Sequence, residues 1–306
     1  MGILDPIKYK FGFFGDARKS KQMRKYAKKI RKLLADEKEL EEKLQSICEE
    51  FEKSGNDEAG KRVDDIATTA ATLEQMYGQH LQYFAQDIQV IELLLHRQIQ
   101  RLKKIMQGVE KAKQNKDIPA EYVQNNLMPS LQEQNNKLHE ELDKLYQMSA
   151  QQAHGLKGYG YRARGDKGIS KEMIRDARKL RKKVKEEEQL VEKMLEELNS
   201  GTVKVDFMEK IQKYQTSLSE IVPLLVEEGK DLRELLFRFK QHSEEQSANI
   251  VNMLEKCADK ESNSKKDKKA IEVHVNYFSN ELPQKIQDLL NSIRAQAKSE
   301  AHEASE

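Results

Sequence analysis

The chain has 306 residues and a formal net charge of +2; 35% of its residues are charged, 37% are apolar and none is tryptophan. Lys, Glu, Leu, Gln and Ala are abundant, which favours long helices and disfavours a compact α/β fold. The longest apolar run, residues 221–226, is far shorter than the ~18–20 residues that span a bilayer. No signal peptide is recognisable either, so a cytoplasmic protein is predicted.

Residues 1–16 form an apolar, aromatic segment ahead of the first predicted helix. Its apolar side chains include Ile3, Leu4, Ile7, Phe11, Phe13 and Phe14. Beside a basic helix, such a segment suits insertion into a membrane interface. The other interpretation is a cap on the end of a helical bundle. A second aromatic stretch, at 159–161, precedes the second half of the chain in the same way and favours the cap.

The first predicted repeat covers residues 17–154. Apolar residues at three- and four-residue steps predict helices over 17–53 and 57–113, separated by a turn-like Ser-Gly-Asn-Asp sequence. A third helix is predicted over 119–153, because Pro119 suits a first helical turn. The chain continues as a linker rich in Gly, Tyr and Arg, residues 155–168.

The second predicted repeat covers residues 169–301 and ends in a short tail, 302–306. Its predicted helices are 169–199, 206–260 and 268–301. Pro223 is expected to kink or split the second of these helices.

The two repeats match at a constant shift of 150 residues. Between 20–44 and 170–194, eleven of 25 positions are identical, and a Gly-Asp pair precedes both stretches. This self-similarity indicates a tandem duplication. The predicted fold is therefore all-α: an elongated helical bundle or coiled coil, built from two copies of a unit of three long helices.

Each repeat begins with a basic run. Nine cations and no acid occur between 18 and 32: Arg18, Lys19, Lys21, Arg24, Lys25, Lys28, Lys29, Arg31 and Lys32. The second run contains two acids, Glu172 and Asp176. Its cations include Lys171, Arg175, Arg178, Lys179, Arg181 and Lys182. Either run could be a solvated helix face or be matched by an acidic neighbouring helix, but uncompensated cations repel one another and an anionic surface would relieve this.

Residue patterns typical of catalysis or metal binding are not found in the sequence. Cys48 and Cys257 have no metal or redox spacing, which predicts buried, reduced thiols. No histidine follows an acid by three residues, as in the Glu-x-x-His pairs of di-iron bundles. We therefore predict a protein that is not an enzyme, with neither a cofactor nor a metal.

The basic runs predict a non-catalytic scaffold or interaction protein that binds an anionic membrane surface or a protein partner. If the partner is a membrane, the protein is expected to bind it peripherally. The alternative is nucleic-acid binding by the same cations and the linker. Only Tyr26 lies within the first run, so base-stacking side chains are scarce. The sequence leaves the oligomeric state open, including a homo-oligomer.

Overall fold

The computed structural model describes residues 16–53, 59–115, 117–151, 166–201, 203–204, 206–261 and 263–291. The predicted N-terminal anchor or cap, with Ile3, Leu4, Ile7, Phe11, Phe13 and Phe14, lies outside these ranges. So do residues 155–165 of the linker, 292–301 of the last predicted helix and the tail. Within the described ranges every regular element is a helix, which confirms the predicted all-α class there.

Six helices follow one another along the described chain. The first three are α1 (Asp16–Lys53), α2 (Ala59–Gln114) and α3, which joins Ala120–Tyr122, a π turn over Val123–Leu127 and Met128–Gln151. The last three are α4 (Asp166–Ser200), α5 (Phe207–Ala258) and α6, which joins Lys265–Asn276, a π turn over Tyr277–Glu281 and residues 282–291.

The first two helices form a long antiparallel hairpin. Glu37 of α1 lies 2.8 Å from His80 of α2, between Oε1 and Nδ1. Asp16, at the start of α1, pairs with Arg97, much further along α2. The two helices therefore run in opposite directions over most of the length of α1.

The second hairpin, α4 and α5, packs against the first. Lys183 of α4 donates a 2.6 Å hydrogen bond to Glu220 of α5. Glu41 and the Phe51 carbonyl of α1 contact His242 and Lys260 of α5, so α1 runs parallel to α5 and antiparallel to α4. Phe239 of α5 packs among three rings of α2, with centroid distances of 4.6–5.9 Å: Tyr77, His80 and Phe84.

The remaining two helices pack on the α2/α5 pair. Gln215 of α5 donates a 2.8 Å hydrogen bond to Ser130 of α3, and His274 of α6 lies 2.8 Å from Glu74 of α2. The α2/α5 pair thus lies between α1 and α4 on one side and α3 and α6 on the other.

The two halves of the chain pack against each other along their long helices, an arrangement that the sequence left open. The most extensive helix contact joins α1 to α4, across the two halves, and α3 and α6 each contact both α2 and α5. The physical reason is that the middle stretches of α2 and α5, residues 87–102 and 225–239, bury side chains on more than one side of the helix axis. Each half therefore buries its own hairpin seam and a second surface against the other half.

Two prolines are accommodated without ending their helices. Pro129 and Pro283 each follow a π turn by two residues, and in both turns a backbone N–H bonds five residues back, from Met128 to Val123 and from Leu282 to Tyr277. The wider turn makes room for a proline ring that would clash with a carbonyl in a regular helix.

Helix α5 runs through Pro223 without the expected split. Pro223 is exposed, so the backbone carbonyl that lacks a partner there can be hydrated. Helix α6 begins at Lys265, before the predicted 268, because Ser264 and Asp267 form a capping box.

Candidate anionic-surface-binding face

The cations of α1 are arranged around its buried stripe. Ser20, Met23, Ala27 and Ile30 are fully buried. The side facing away from them is exposed and carries cations at three- and four-residue steps: Arg18, Lys21, Lys25, Lys28 and Lys32. Since residues three and four apart share one side of a helix, these five form a single outward stripe.

Helix α4 repeats this arrangement at the same 150-residue shift. Ser170, Met173, Ala177 and Leu180 are buried. The outward stripe is again exposed and cationic: Lys171, Arg175, Arg178, Lys182 and Lys185. At the shift of 150 residues, Lys185 corresponds to Ala35, so the α1 stripe has no cation at that position of the repeat.

The packing of α1 against α4 places the two stripes side by side. The Asp16 backbone N–H donates a 2.8 Å hydrogen bond to Glu188 Oε1. Because antiparallel helices advance at the same rise per residue, residues 18–32 lie alongside roughly 172–186. The two stripes together are called the basic face below.

Four cations of the first run are not part of the outward stripe. Lys29 donates a 2.8 Å hydrogen bond to Tyr83 of α2 and lies over its ring, which also stacks on Tyr26. Lys19 is half-buried, and the half-buried Arg24 has a buried Nε without a hydrogen-bond partner among the described residues. Arg31 is exposed at the edge of the stripe.

Few acids neutralise the basic face. Within the described ranges, Arg18, Lys21, Lys25 and Lys28 form no ion pair. Lys32 reaches Asp36 only at 3.9 Å, with 80% of the lysine side chain exposed, so this pair contributes little. Among the described helices, none places an acid beside Arg18, Lys21, Lys25 or Lys28 as an ion-pair partner.

The second run is partly neutralised. Asp176 lies 3.2 Å from both Arg175 and Lys179, and Lys183 pairs with Glu220 at 2.6 Å. Lys182 reaches Glu186 only at 3.9 Å. Lys171, Arg178 and Arg181 are exposed and, in the part of the chain that the structure describes, have no acidic partner. The basic face is therefore more strongly charged on α1 than on α4.

A buried ionic cluster fixes α1 against α4. The Arg101 guanidinium of α2 is 1% exposed and lies 2.8 Å from Asp16, 3.1 Å from Glu187 and 3.8 Å from Glu188. Gln98 donates a further 2.8 Å hydrogen bond to Glu187. The cluster ties the first turn of α1 to the middle of α4, which sets the register of the two stripes.

Burial and charge act against each other in this cluster. Burial raises the pKa of Glu187 to about 7, although Arg101 and Gln98 lower it. Burial lowers the pKa of Arg101, but Glu187 and Asp16 outweigh it and the net shift is upward. Sequence patterns did not single out these residues, because charged side chains are common on every side of Lys/Glu-rich helices.

A polar groove of about 610 Å³ opens between the second halves of α1 and α5. Glu37, Glu41 and His242 line this groove, and the Tyr77 hydroxyl of α2 donates a hydrogen bond to Glu41. Each of these carboxylates already has a partner: His80 for Glu37, and Tyr77 with His242 for Glu41. Their main observable role is thus to join α1 to α2 and α5.

Among the described residues, no group of three or more His, Cys, Asp or Glu side chains is placed to bind a metal ion. No described helix is both long enough and apolar enough to cross a membrane. Comparisons with protein-family models, with curated proteins and with solved structures give no match.

Proposed function

We propose that this protein is a non-catalytic helical scaffold whose basic face binds an anionic membrane surface. The observation that supports it is the side-by-side packing of two exposed cationic stripes on the outer α1/α4 layer. The two runs, 18–32 and 171–185, hold 17 cations and two acids in a chain of net charge +2. The rest of the chain therefore carries a net negative charge, so the positive charge is concentrated in these two runs.

The geometry suits a surface better than a groove. Two neighbouring antiparallel helices, 8–10 Å apart, present a broad face. Each Lys or Arg close to anionic lipid contributes roughly 1 kcal/mol. Four or five cations on the α1 stripe would then contribute roughly 4–5 kcal/mol, which added salt would weaken by screening.

Nucleic-acid binding is the rival function. Single-strand binding usually needs exposed aromatic rings on which bases stack. Tyr26, the one aromatic residue of the first run, is half-buried and stacked on Tyr83. Phosphate-backbone contacts with a duplex need no such rings, so the binding of duplex DNA is measured beside the binding of vesicles.

The test is co-sedimentation with vesicles of phosphatidylcholine alone or mixed with phosphatidylserine. We expect binding to the mixed vesicles at low salt and release as salt rises. A variant with four outward lysines and arginines changed to Gln should bind at least about tenfold more weakly. Its substitutions are Lys21→Gln, Lys25→Gln, Lys28→Gln and Arg18→Gln.

A matched control changes four exposed lysines outside the basic face and removes the same total charge. Its substitutions are Lys103→Gln, Lys111→Gln, Lys265→Gln and Lys266→Gln. The control should bind like the parent protein. Equal losses in both variants, or equal binding to neutral vesicles, would overturn the proposal. A shift of duplex DNA with no vesicle binding would favour the nucleic-acid rival.

The role of residues 1–14 is tested by their deletion. If they insert into the membrane, the deletion lowers the binding that persists at high salt. If they cap the bundle, it lowers the thermal unfolding midpoint and leaves binding unchanged.

We also propose that the two halves are copies of one unit. Identical residues are buried at a shift of 150 in α1 and α4, among them Glu37 and Glu187. The π turns supply support that does not depend on Lys/Glu-rich composition, because each one precedes its proline by two residues. An experimental structure whose halves could not be superposed, helix by helix, would contradict the duplication.

A further inference from the structure

The two cysteines of the chain meet in the folded protein. Cys48 lies in the last third of α1 and Cys257 at the end of α5, 209 residues further along the sequence. Both are free and at most 1% exposed. Three residues beyond each cysteine, Lys260, just after α5, contacts the carbonyl and the ring of Phe51 of α1. Because the two helices run parallel here, this contact places the two thiols side by side, and they interact electrostatically.

We propose that Cys48 and Cys257 are a redox-active pair, which closes to an intramolecular disulfide when the protein is exposed to a peroxide. Such a pair differs from two isolated buried thiols, which are usually inert. It also goes beyond the membrane-surface function, because it requires neither the basic face nor a lipid.

The local charges make the two thiols unequal. The hydrogen bond from Cys48 lowers the pKa of Cys257, and Lys260 and Lys256 act in the same direction against burial. For Cys48, that hydrogen bond and burial raise the pKa. Lys260 is held close by, over the Phe51 ring. Cys257 is therefore the more acidic thiol of the pair. In the proposal it attacks the peroxide, and Cys48 resolves the product.

The reaction balances with one peroxide per pair. The Cys257 thiolate attacks hydrogen peroxide, the O–O bond breaks, hydroxide leaves and Cys257 becomes a sulfenic acid. Cys48 then loses its proton and attacks the Cys257 sulfur, releasing water and forming the S–S bond. Two thiols are oxidised and one peroxide is reduced. The hydroxide takes up the proton that Cys257 released on ionising, which gives two waters in total.

The disulfide would fasten the end of α1 to the end of α5. It would close a loop of about 210 residues, and cross-links across long loops restrict the unfolded chain most. Cys48 lies four turns beyond Lys32, so the outward cations of α1 would keep their positions.

The test treats the folded, fully reduced protein with hydrogen peroxide and counts free thiols after denaturation. We expect the count to fall from two to none per chain, with a monomer that migrates faster on a non-reducing gel. The thermal midpoint should rise by about 5–10 °C and return to its starting value after reduction with dithiothreitol.

Two controls separate the pair from general thiol oxidation. In Cys48→Ser, the Cys257 sulfenic acid has no resolving thiol and should react with dimedone, whereas the parent protein should not. Peroxide treatment of the parent protein in urea, where the cysteines are far apart, should give mostly unlinked oxidised thiols. Retention of both thiols in the folded protein, cross-linked dimers alone, or equal linkage in urea would overturn the proposal.

Discussion

Arg101 and Asp16 form an ion pair that is almost completely removed from solvent, with 2.8 Å between Nη2 and Oδ2. Arg101 comes from the middle helix pair, whereas Asp16 is the first described residue of α1. The same guanidinium also contacts Glu187 of α4. One side chain of α2 therefore holds together the two helices that carry the basic face.

Replacing Arg101 with Met should lower the free energy of unfolding by about 3–5 kcal/mol, because Asp16 and Glu187 would remain buried without their cation. Urea denaturation monitored by circular dichroism measures the change. The matched control is Lys103→Met, at an exposed cation on the same helix, which should change stability by less than about 0.5 kcal/mol. A loss below about 1 kcal/mol for Arg101→Met would mean that the cluster contributes little to the fold.

The protein should gain stability as the pH falls from neutral, through a pair of buried carboxyls. Asp87 of α2 and Glu228 of α5 are buried, and none of their carboxyl oxygens has a hydrogen-bond partner in the described structure. Burial raises the pKa of both well above the usual range, and for Glu228 the carboxyls of Asp87, Asp231 and Asp176 add to it.

The native state therefore keeps protons that the unfolded chain has already released, so stability falls as the pH rises from roughly 4 through the raised folded values. Asp87→Asn should raise the unfolding free energy at pH 7.5 and reduce the difference between pH 7.5 and pH 5.5. Asp65→Asn, at an exposed site on the same helix, is the control. Burial lowers the pKa of His139, which opposes the trend below about pH 6.5. The decisive quantity is thus the difference between parent and variant, and an equal pH dependence in both would refute the interpretation.

Two glycines of α2 should respond to alanine in opposite directions. A Cβ at Gly108 would lie 2.5 Å from Cδ1 and 3.1 Å from Cβ of Leu198, whereas a Cβ at Gly78 meets nothing within 4 Å. Gly78→Ala should stabilise the protein by about 0.5–1 kcal/mol through helix propensity. Gly108→Ala should instead lose about 1–3 kcal/mol by overpacking.

Thermal and urea unfolding of both variants check this contrast. Adding Leu198→Ala to Gly108→Ala should remove most of the clash, so the two substitutions should be less than additive. Equal stabilisation by both alanines would show that α2 and α4 are not closely packed at this point.

Pro223 should be replaceable with a gain in stability. It interrupts the backbone hydrogen bonds of α5 at an exposed position. Pro223→Ala should restore one of these bonds and increase stability by about 1–2 kcal/mol, less than the cost of a helix-interior proline because the unfolded chain also gains freedom. A loss of stability on urea unfolding would indicate instead that the neighbouring helices require a bend at this residue.

Local periodicity predicts which side of each helix is buried, and this is why the all-α class and the outward position of Lys21 and Lys25 follow from sequence. It does not predict which helix covers that side. The contact of α1 with α4 joins residues far apart in the sequence, such as Asp16 and Glu188, which are 172 positions apart. No short-range pattern encodes it. The predicted coiled-coil packing and the surface-binding role of the cations stay predictions.

The burial of polar groups could not be predicted from the sequence for a related reason. Glu37 and Arg101 look like members of a solvated helix face, since other charged residues lie close to each of them in the sequence. Their burial depends on His80 and Glu187, which other helices bring into place. The encounter of Cys48 with Cys257 likewise depends on the parallel arrangement of α1 and α5 and not on cysteine spacing.

The π turns of α3 and α6 also bear on the history of the chain. A turn closed by a bond to the fifth preceding residue contains one residue more than a regular α turn. Such a turn is the expected trace of a single inserted residue that a helix has absorbed. Under the proposed duplication, the insertion entered an ancestral half-length protein before its gene was copied. A present-day descendant of that ancestor, if one exists as a single unit, should keep the π turn and its proline together.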